Sequence, residues 1–250
     1  MNISRHAFVI FLFVFYCFQS IQLACVGASS SKEEEEEFLV AKNAFEEGFY
    51  DTSAKLFNGF AVKYPQSPLF QEASLYIGQC YFYQRNYDEA ITRFNTMLTR
   101  KNAEYLYDKL YFWIAETHFK NNDFLKASQW YTAVVTQYPE SSYCAQALYA
   151  MGWCLFQQDK FVEAKAQFLK VKAKFPKNVL AEEADFKIVE CFYNLKEYAK
   201  LKEYLGALVP KNNFPESQHE RKNALLQFYL AESCYYLEDY ACALANYSDA

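Results

Sequence analysis

From residue 38 onward the chain alternates apolar-periodic stretches with short polar turns, and the pattern repeats at one interval. The segments Tyr50-Asp51-Thr52-Ser53, Tyr87-Asp88-Glu89-Ala90, Phe124-Leu125-Lys126-Ala127, Phe161-Val162-Glu163-Ala164 and Tyr198-Ala199-Lys200-Leu201 end at residues 53, 90, 127, 164 and 201, four steps of 37. Four residues beyond each end stand Phe57, Phe94, Tyr131, Phe168 and Leu205, and twelve residues before it stand Ala41, Gly78, Ala115, Gly152 and Val189. A sixth unit runs from Glu232-Ser233-Cys234-Tyr235 to Tyr240-Ala241-Cys242-Ala243, read here with a turn one residue shorter and a longer segment before it.

Each unit reads as two amphipathic helices joined by a polar turn, for example Leu69–Gln84 and Tyr87–Thr99 around Arg85-Asn86. A small residue on each helix marks a close approach, and the aromatic one turn later fills the space between units. Tyr64-Pro65, Tyr138-Pro139 and Phe175-Pro176 stop the second helix, and Ser67, Ser141, Asn178 and Ser217 are placed to cap the helix that follows. A helix pair cannot bury both of its faces alone, so stability requires stacking. Leu201, where the other units carry Ser or Ala, marks the fifth unit as the one expected to be distorted.

A small residue, a second twelve positions on, an aromatic four further and a Pro eight beyond that resembles the tetratricopeptide repeat (TPR). The TPR period is 34 residues, and the extra three of this chain fall at the Tyr-Pro-x-Ser junction. Lys63-Tyr64-Pro65-Gln66-Ser67-Pro68 followed by Gly78-Gln79-Cys80-Tyr81 looks like the long-period repeats of bacterial envelope proteins, notably the tol–pal-associated cell-division coordinator and the lipoprotein of the outer-membrane barrel assembly machine. The resemblance covers about residues 38–250. It implies an all-α, right-handed α-solenoid of about six helix-turn-helix units that binds a protein or peptide segment. Ala250 falls within the second helix of the sixth unit without a stop signal, so the expectation is a solenoid truncated at this end.

Of the 250 residues, 52% are apolar and 20% aromatic, which excludes a disordered chain and leaves ample material for a core. The formal charge of −5 falls to −2 over residues 38–250, too balanced for a phosphate-tracking face, so no nucleic-acid partner is expected. Residues 1–28 read as a secretory signal: Arg5 and His6 precede an apolar run from Ala7 to Phe18, too short to span a bilayer. Cleavage after Val26-Gly27-Ala28 starts the mature chain at Ser29; alternatively Leu23-Ala24-Cys25 resembles a lipobox, with Cys25 the lipid attachment site and outer-membrane association the consequence. Residues 29–37, with Glu33–Glu37, read as a solvated acidic tether running into the first helix. The expected location is the periplasm or the periplasmic face of the outer membrane.

Little in the chain points to catalysis. There is no HExxH, GxSxG, P-loop or GxGxxG pattern and no CxxC, so no catalytic residue, metal, cofactor or small-molecule substrate is expected. Cys80, Cys154, Cys191 and Cys234 fall at one equivalent site of four units, roughly 9–10 Å apart at helix-packing distance, too far for disulfides and so expected to be reduced filler. Cys144 and Cys242 have no spacing partner that suggests a metal. His118 takes the place of Tyr81 and Leu155 as a core or edge imidazole, and His219 sits in a polar linker.

The candidate binding surface is an aromatic ladder on the first helices. Three residues before each small position stand Phe38, Leu75, Phe112, Tyr149, Phe186 and, with the sixth unit shifted, Tyr229; seven residues later stand Phe45, Phe82, Phe119, Phe156, Tyr193 and Tyr236. Between them come Lys42, Gln79, Glu116, Trp153, Glu190 and Ser233. In the TPR resemblance these places line a concave groove, and Phe112, Glu116, Phe119, Tyr149, Trp153, Phe156, Phe186, Glu190 and Tyr193 form its centre. Packing between adjacent first helices is the other reading of the same aromatics. The middle groove position never carries Asn, and Lys stands there only as Lys42, so the carboxylate-tail clamp of some TPRs is not expected. The expected role is an exported, non-catalytic scaffold for envelope assembly or division; the alternative is the substrate adaptor of a larger enzyme or assembly factor.

Overall fold

The computed structural model describes residues 30–208 and 216–249. The signal, both cleavage readings and Cys25 lie outside the described residues, as does the His219 side chain. Twelve α-helices occur among the described residues, with no strand. They are α1 (Lys32–Glu46), α2 (Tyr50–Lys63), α3 (Phe70–Tyr83), α4 (Tyr87–Leu98), α5 (Tyr107–Lys120), α6 (Phe124–Gln137), α7 (Cys144–Phe156), α8 (Phe161–Lys174), α9 (Val179–Asn194), α10 (Tyr198–Leu208), α11 (Glu216–Tyr236) and α12 (Tyr240–Asp249). None of these is long and apolar enough to cross a membrane. The chain divides into two compact units between Asn102 and Ala103, one carrying α1–α4 and the other α5–α12. Each unit is a run of helical hairpins in which every helix packs on the next.

The first helix starts earlier than the acidic run suggested. Ser31 caps α1, its Oγ accepting from the Glu34 amide while the Glu34 carboxylate accepts from the Ser31 amide, which closes a capping box. The glutamates therefore lie within the helix, Glu33, Glu34 and Glu35 in its first turn, rather than in a tether. Glu33 and Glu37 both accept from Lys63 Nζ on α2, at 2.8 and 2.6 Å.

One turn design closes all six hairpins. Gly48, Arg85, Asn122, Asp159, Lys196 and Glu238 adopt φ between 56° and 83°, each following a first helix. At Arg85 the amide donates to Phe82 O and the next amide to Tyr81 O, and the same pair of bonds recurs at every turn; this is the Schellman arrangement. The first five positions are 37 residues apart and the last follows by 42, so the added residues lie in the linker and the sixth turn is not shortened. That corrects the sixth register. Ala231, fully buried, is the counterpart of Gly78; the ladder positions are Phe228 and Tyr235 rather than Tyr229 and Tyr236, and the middle position is Glu232 rather than Ser233.

Small and large residues pair across each hairpin. A Cβ built on Gly78 would lie 2.3 Å from Phe94 Cε1, and one on Gly152 would lie 2.6 Å from Phe168 Cε1. In the fifth unit Val189 and Leu201 pack with Leu205 instead of an aromatic, all three fully buried. These three side chains together are bulkier than the Gly, Ala and Phe of the second and fourth units, so the fifth hairpin keeps its turn geometry while its two helices stand further apart than those of the other five, the distortion expected. Tyr64, Tyr138 and Phe175 are the C-caps before Pro, as expected. Asn178 caps α9 by accepting from the Leu180 amide, whereas Ser67 and Ser141 bond the amide two residues on and precede the cap, and Ser217 lies inside α11.

The cysteines divide differently from expectation. Cys80, Cys144, Cys154 and Cys191 are free and buried, and burial pushes the Cys154 and Cys191 thiols up to about 12. Cys234 instead forms a disulfide with Cys242, their Cα atoms 5.8 Å apart. The corrected register supplies the reason. Ser233 is the true counterpart of Cys80, and Cys234, one residue on, faces Cys242 across its own hairpin. Asp239 lies near both sulfurs, but sulfurs joined to each other are not thiolate ligands for a metal.

Candidate functional site

The ladder residues have two distinct jobs. The later position braces the hairpin turn: Phe45–Tyr50, Phe82–Tyr87, Phe119–Phe124, Phe156–Phe161, Tyr193–Tyr198 and Tyr235–Tyr240 meet edge-on or tilted, with ring centroids 5.1–6.1 Å apart. The earlier position is mostly core. Phe38, Leu75, Phe112 and Phe186 are all buried, and Phe186 packs with Val189, Leu201, Leu205 and Leu226.

Among the helices that follow Ala103, the first helices of the hairpins do not pack uniformly. α7 touches α9 and α9 touches α11, while α5 and α7 stand further apart. There a cleft of about 430 Å³ opens, lined by Phe112, Glu116 and Phe119 of α5, by Gln146, Tyr149, Ala150, Trp153 and Gln157 of α7, and by Leu180 of α9. Five of the nine expected site residues meet in this one place. The other four sit around it or apart. Phe156 packs edge-on to Trp153 at 5.8 Å. Glu190 is clamped by Lys187 at 2.7 and 2.9 Å. Tyr193 donates its hydroxyl to Glu232 Oε2 at 3.1 Å, and Phe186 is core.

Gln146, Ala150 and Gln157 were missed, although all follow from the i, i+3/i+4 spacing of the α7 face that carries Tyr149 and Trp153. Lys187 was missed as well. Its Nζ lies 4.1 Å from the Trp153 ring centroid, a cation–π contact that holds the indole in place.

Glu116 is the polar centre of the α5 wall. The fully buried Tyr131 of α6 donates its hydroxyl to Glu116 Oε1. Burial raises the Glu116 carboxyl above its ordinary value of 4.5, with the Tyr131 bond and Lys120 opposing. The acid therefore ionises first in the unfolded chain, so wild-type stability falls as pH rises through 4.5 and levels off above the raised folded value. Glu116→Gln, which cannot ionise, is expected to raise the urea midpoint relative to wild type at pH 7, with the difference vanishing near pH 4. An equal difference at both pH values would contradict this. His118, half-buried on α5, is held below its ordinary range by burial, with Asp123 opposing.

The comparisons with known proteins agree with this geometry. A family profile described as tetratricopeptide repeat matches residues 40–105 and 81–142, and a second of the same description matches 146–178. The chain belongs to the tetratricopeptide repeat family. No curated protein sequence matches it significantly. Among solved structures, a TPR protein from Parabacteroides merdae is similar at 17% identity and a TM-score of 0.62, covering 86% of this chain and 78% of its own. PilF of Pseudomonas aeruginosa is similar at 12% identity and a TM-score of 0.60, covering 85% and 88%. MamA of Desulfovibrio magneticus RS-1 is similar at 12% and 0.58, covering 73% and 96%. These likenesses concern the fold. TPR stacks are generally non-catalytic scaffolds that bind proteins or peptides, and this TPR chain is suited to that role.

Proposed function

We propose that this TPR protein is exported to the bacterial cell envelope and serves there as an assembly or division scaffold that captures a partner segment in the cleft between α5 and α7. The observation that carries the reading is the convergence of Phe112, Phe119, Tyr149 and Trp153 on one open, largely apolar cleft of about 430 Å³. Such a surface gains by burying an apolar segment, and a half-buried Trp is the residue type that most often dominates such contacts. The apolar run at residues 7–18 supports export. The Cys234–Cys242 disulfide supports it independently, since such bonds persist in oxidising compartments. Lipid on Cys25 would add membrane association.

Trp153→Ala combined with Phe119→Ala is expected to weaken partner capture from an envelope extract by about 2 kcal/mol or more, while far-ultraviolet circular dichroism stays unchanged. Undiminished capture by the folded variant would remove the cleft from the mechanism.

A further inference from the structure

The cleft has a charge signature as well as a shape. Among the described residues that line it, Glu116 is the only one that carries a charge; the remainder are aromatic, aliphatic or amide. Its carboxylate is half-buried, with the Tyr131 hydroxyl on Oε1, so a counter-charge brought by a ligand meets less competition from water than on an open surface. The rings around it present negative π faces, which attract cations. The same neighbourhood already holds ammonium groups over rings. Lys187 Nζ stands 4.1 Å from the Trp153 centroid, neutralised by Glu190, and Lys120 Nζ stands 5.9 Å from the Phe119 centroid. Lys120 is exposed, and its repulsion of an incoming cation is correspondingly screened.

Resting on the cleft as the binding site, we infer that its occupant is a peptide segment carrying a lysine or arginine flanked by apolar residues, the basic side chain entering between Phe112, Tyr149 and Trp153 to pair with Glu116. The apolar flanks cover the ring walls, and the ammonium or guanidinium restores the solvation that burial takes from the carboxylate. An acidic segment is rejected by the same group.

The test is selection from a random linear dodecapeptide phage library on the full chain at pH 7.5, run in parallel on Glu116→Gln and Trp153→Ala. Gln keeps an acceptor for Tyr131, and circular dichroism checks each variant's fold. The expected result is Lys or Arg beside Leu, Phe or Met at about fivefold or more above its library frequency, with that preference lost on Glu116→Gln while apolar preferences persist. Trp153-dependent peptides without a basic residue, or a basic preference that survives Glu116→Gln, overturn the inference alone. Failure to recover any peptide that depends on Trp153 overturns the cleft reading together with it.

Discussion

Gly78→Val is expected to destabilise the second hairpin by about 3 kcal/mol, and shortening the ring opposite should recover much of the loss. Helix propensity favours Val over Gly, and Ala over Gly by about 1 kcal/mol, so a loss identifies the tertiary contact as the cause. That contact is with Phe94, 2.3 Å from where the first new carbon would stand. Gly78 lies inside α3 and Phe94 is fully buried in α4, so the ring has nowhere to go without moving a helix, and overpacking costs in the range of 1–3 kcal/mol. Phe94→Leu alone leaves a cavity and is expected to cost about 2 kcal/mol. Gly78→Val with Phe94→Leu reproduces the Val189–Leu205 pair that the fifth unit uses, both residues fully buried there. The double variant is therefore expected to lie well above the sum of the singles in urea unfolding. Strict additivity would mean that the two positions are not a complementary pair.

Removing the disulfide is expected to have the second largest effect, confined to the last hairpin. The bond closes a loop between residues eight apart, and constraining a loop of that length in the unfolded chain contributes about 2.5 kcal/mol. Cys234→Ser with Cys242→Ser is then expected to lower amide protection in α12 by about 70-fold in hydrogen exchange. Leu244 is 73% exposed and Tyr247 41% exposed, so besides the disulfide the helix is held by buried Ala243, the Tyr247 hydroxyl on Glu232 and the ring contacts of Phe228 and Tyr235. Amides of α1–α4 should keep their protection. An equal loss in both units would show that the bond acts globally.

The repeat was legible because its signals are local and redundant. The 37-residue interval, the small–aromatic pairs and the Tyr-Pro stops each mark the same hairpin, and the structure honours all of them. The sixth register was not legible, because its turn follows the fifth by 42 residues and so breaks the 37-residue interval that aligned the others, and Glu238, like Arg85, Asp159 and Lys196, does not advertise its left-handed backbone. A Cys one residue past the equivalent site then drew the alignment off by one and hid the pairing with Cys242. The start of α1 was present as the capping box Ser31-x-x-Glu34, but the Glu run was read only for its like charge, and the Lys63 contacts that relieve the repulsion come from another helix.

The cleft was half legible. An aromatic ladder that repeats in every unit cannot say which neighbouring first helices part, since that depends on side-chain volumes meeting across α5 and α7. Phe186 shows the limit of the periodic argument: it stands at the ladder position of Phe112 and Tyr149, yet it is closed into the core by Leu201, Leu205 and Leu226. Lys187 lies outside the ladder altogether and reaches Trp153 only through the approach of α9 to α7.

Photo-crosslinking from Ala150 tests most directly whether a partner lies along the first helices. A photoreactive amino acid is placed at Ala150, which lines the cleft, or at Leu169, a 43% exposed residue of α8, and each full chain is irradiated in an envelope extract. The cleft predicts a discrete crosslinked partner from position 150 that disappears in a Trp153→Ala background, with none from position 169. Crosslinks from position 169 and silence at position 150 would place the working surface on the second helices and contradict it.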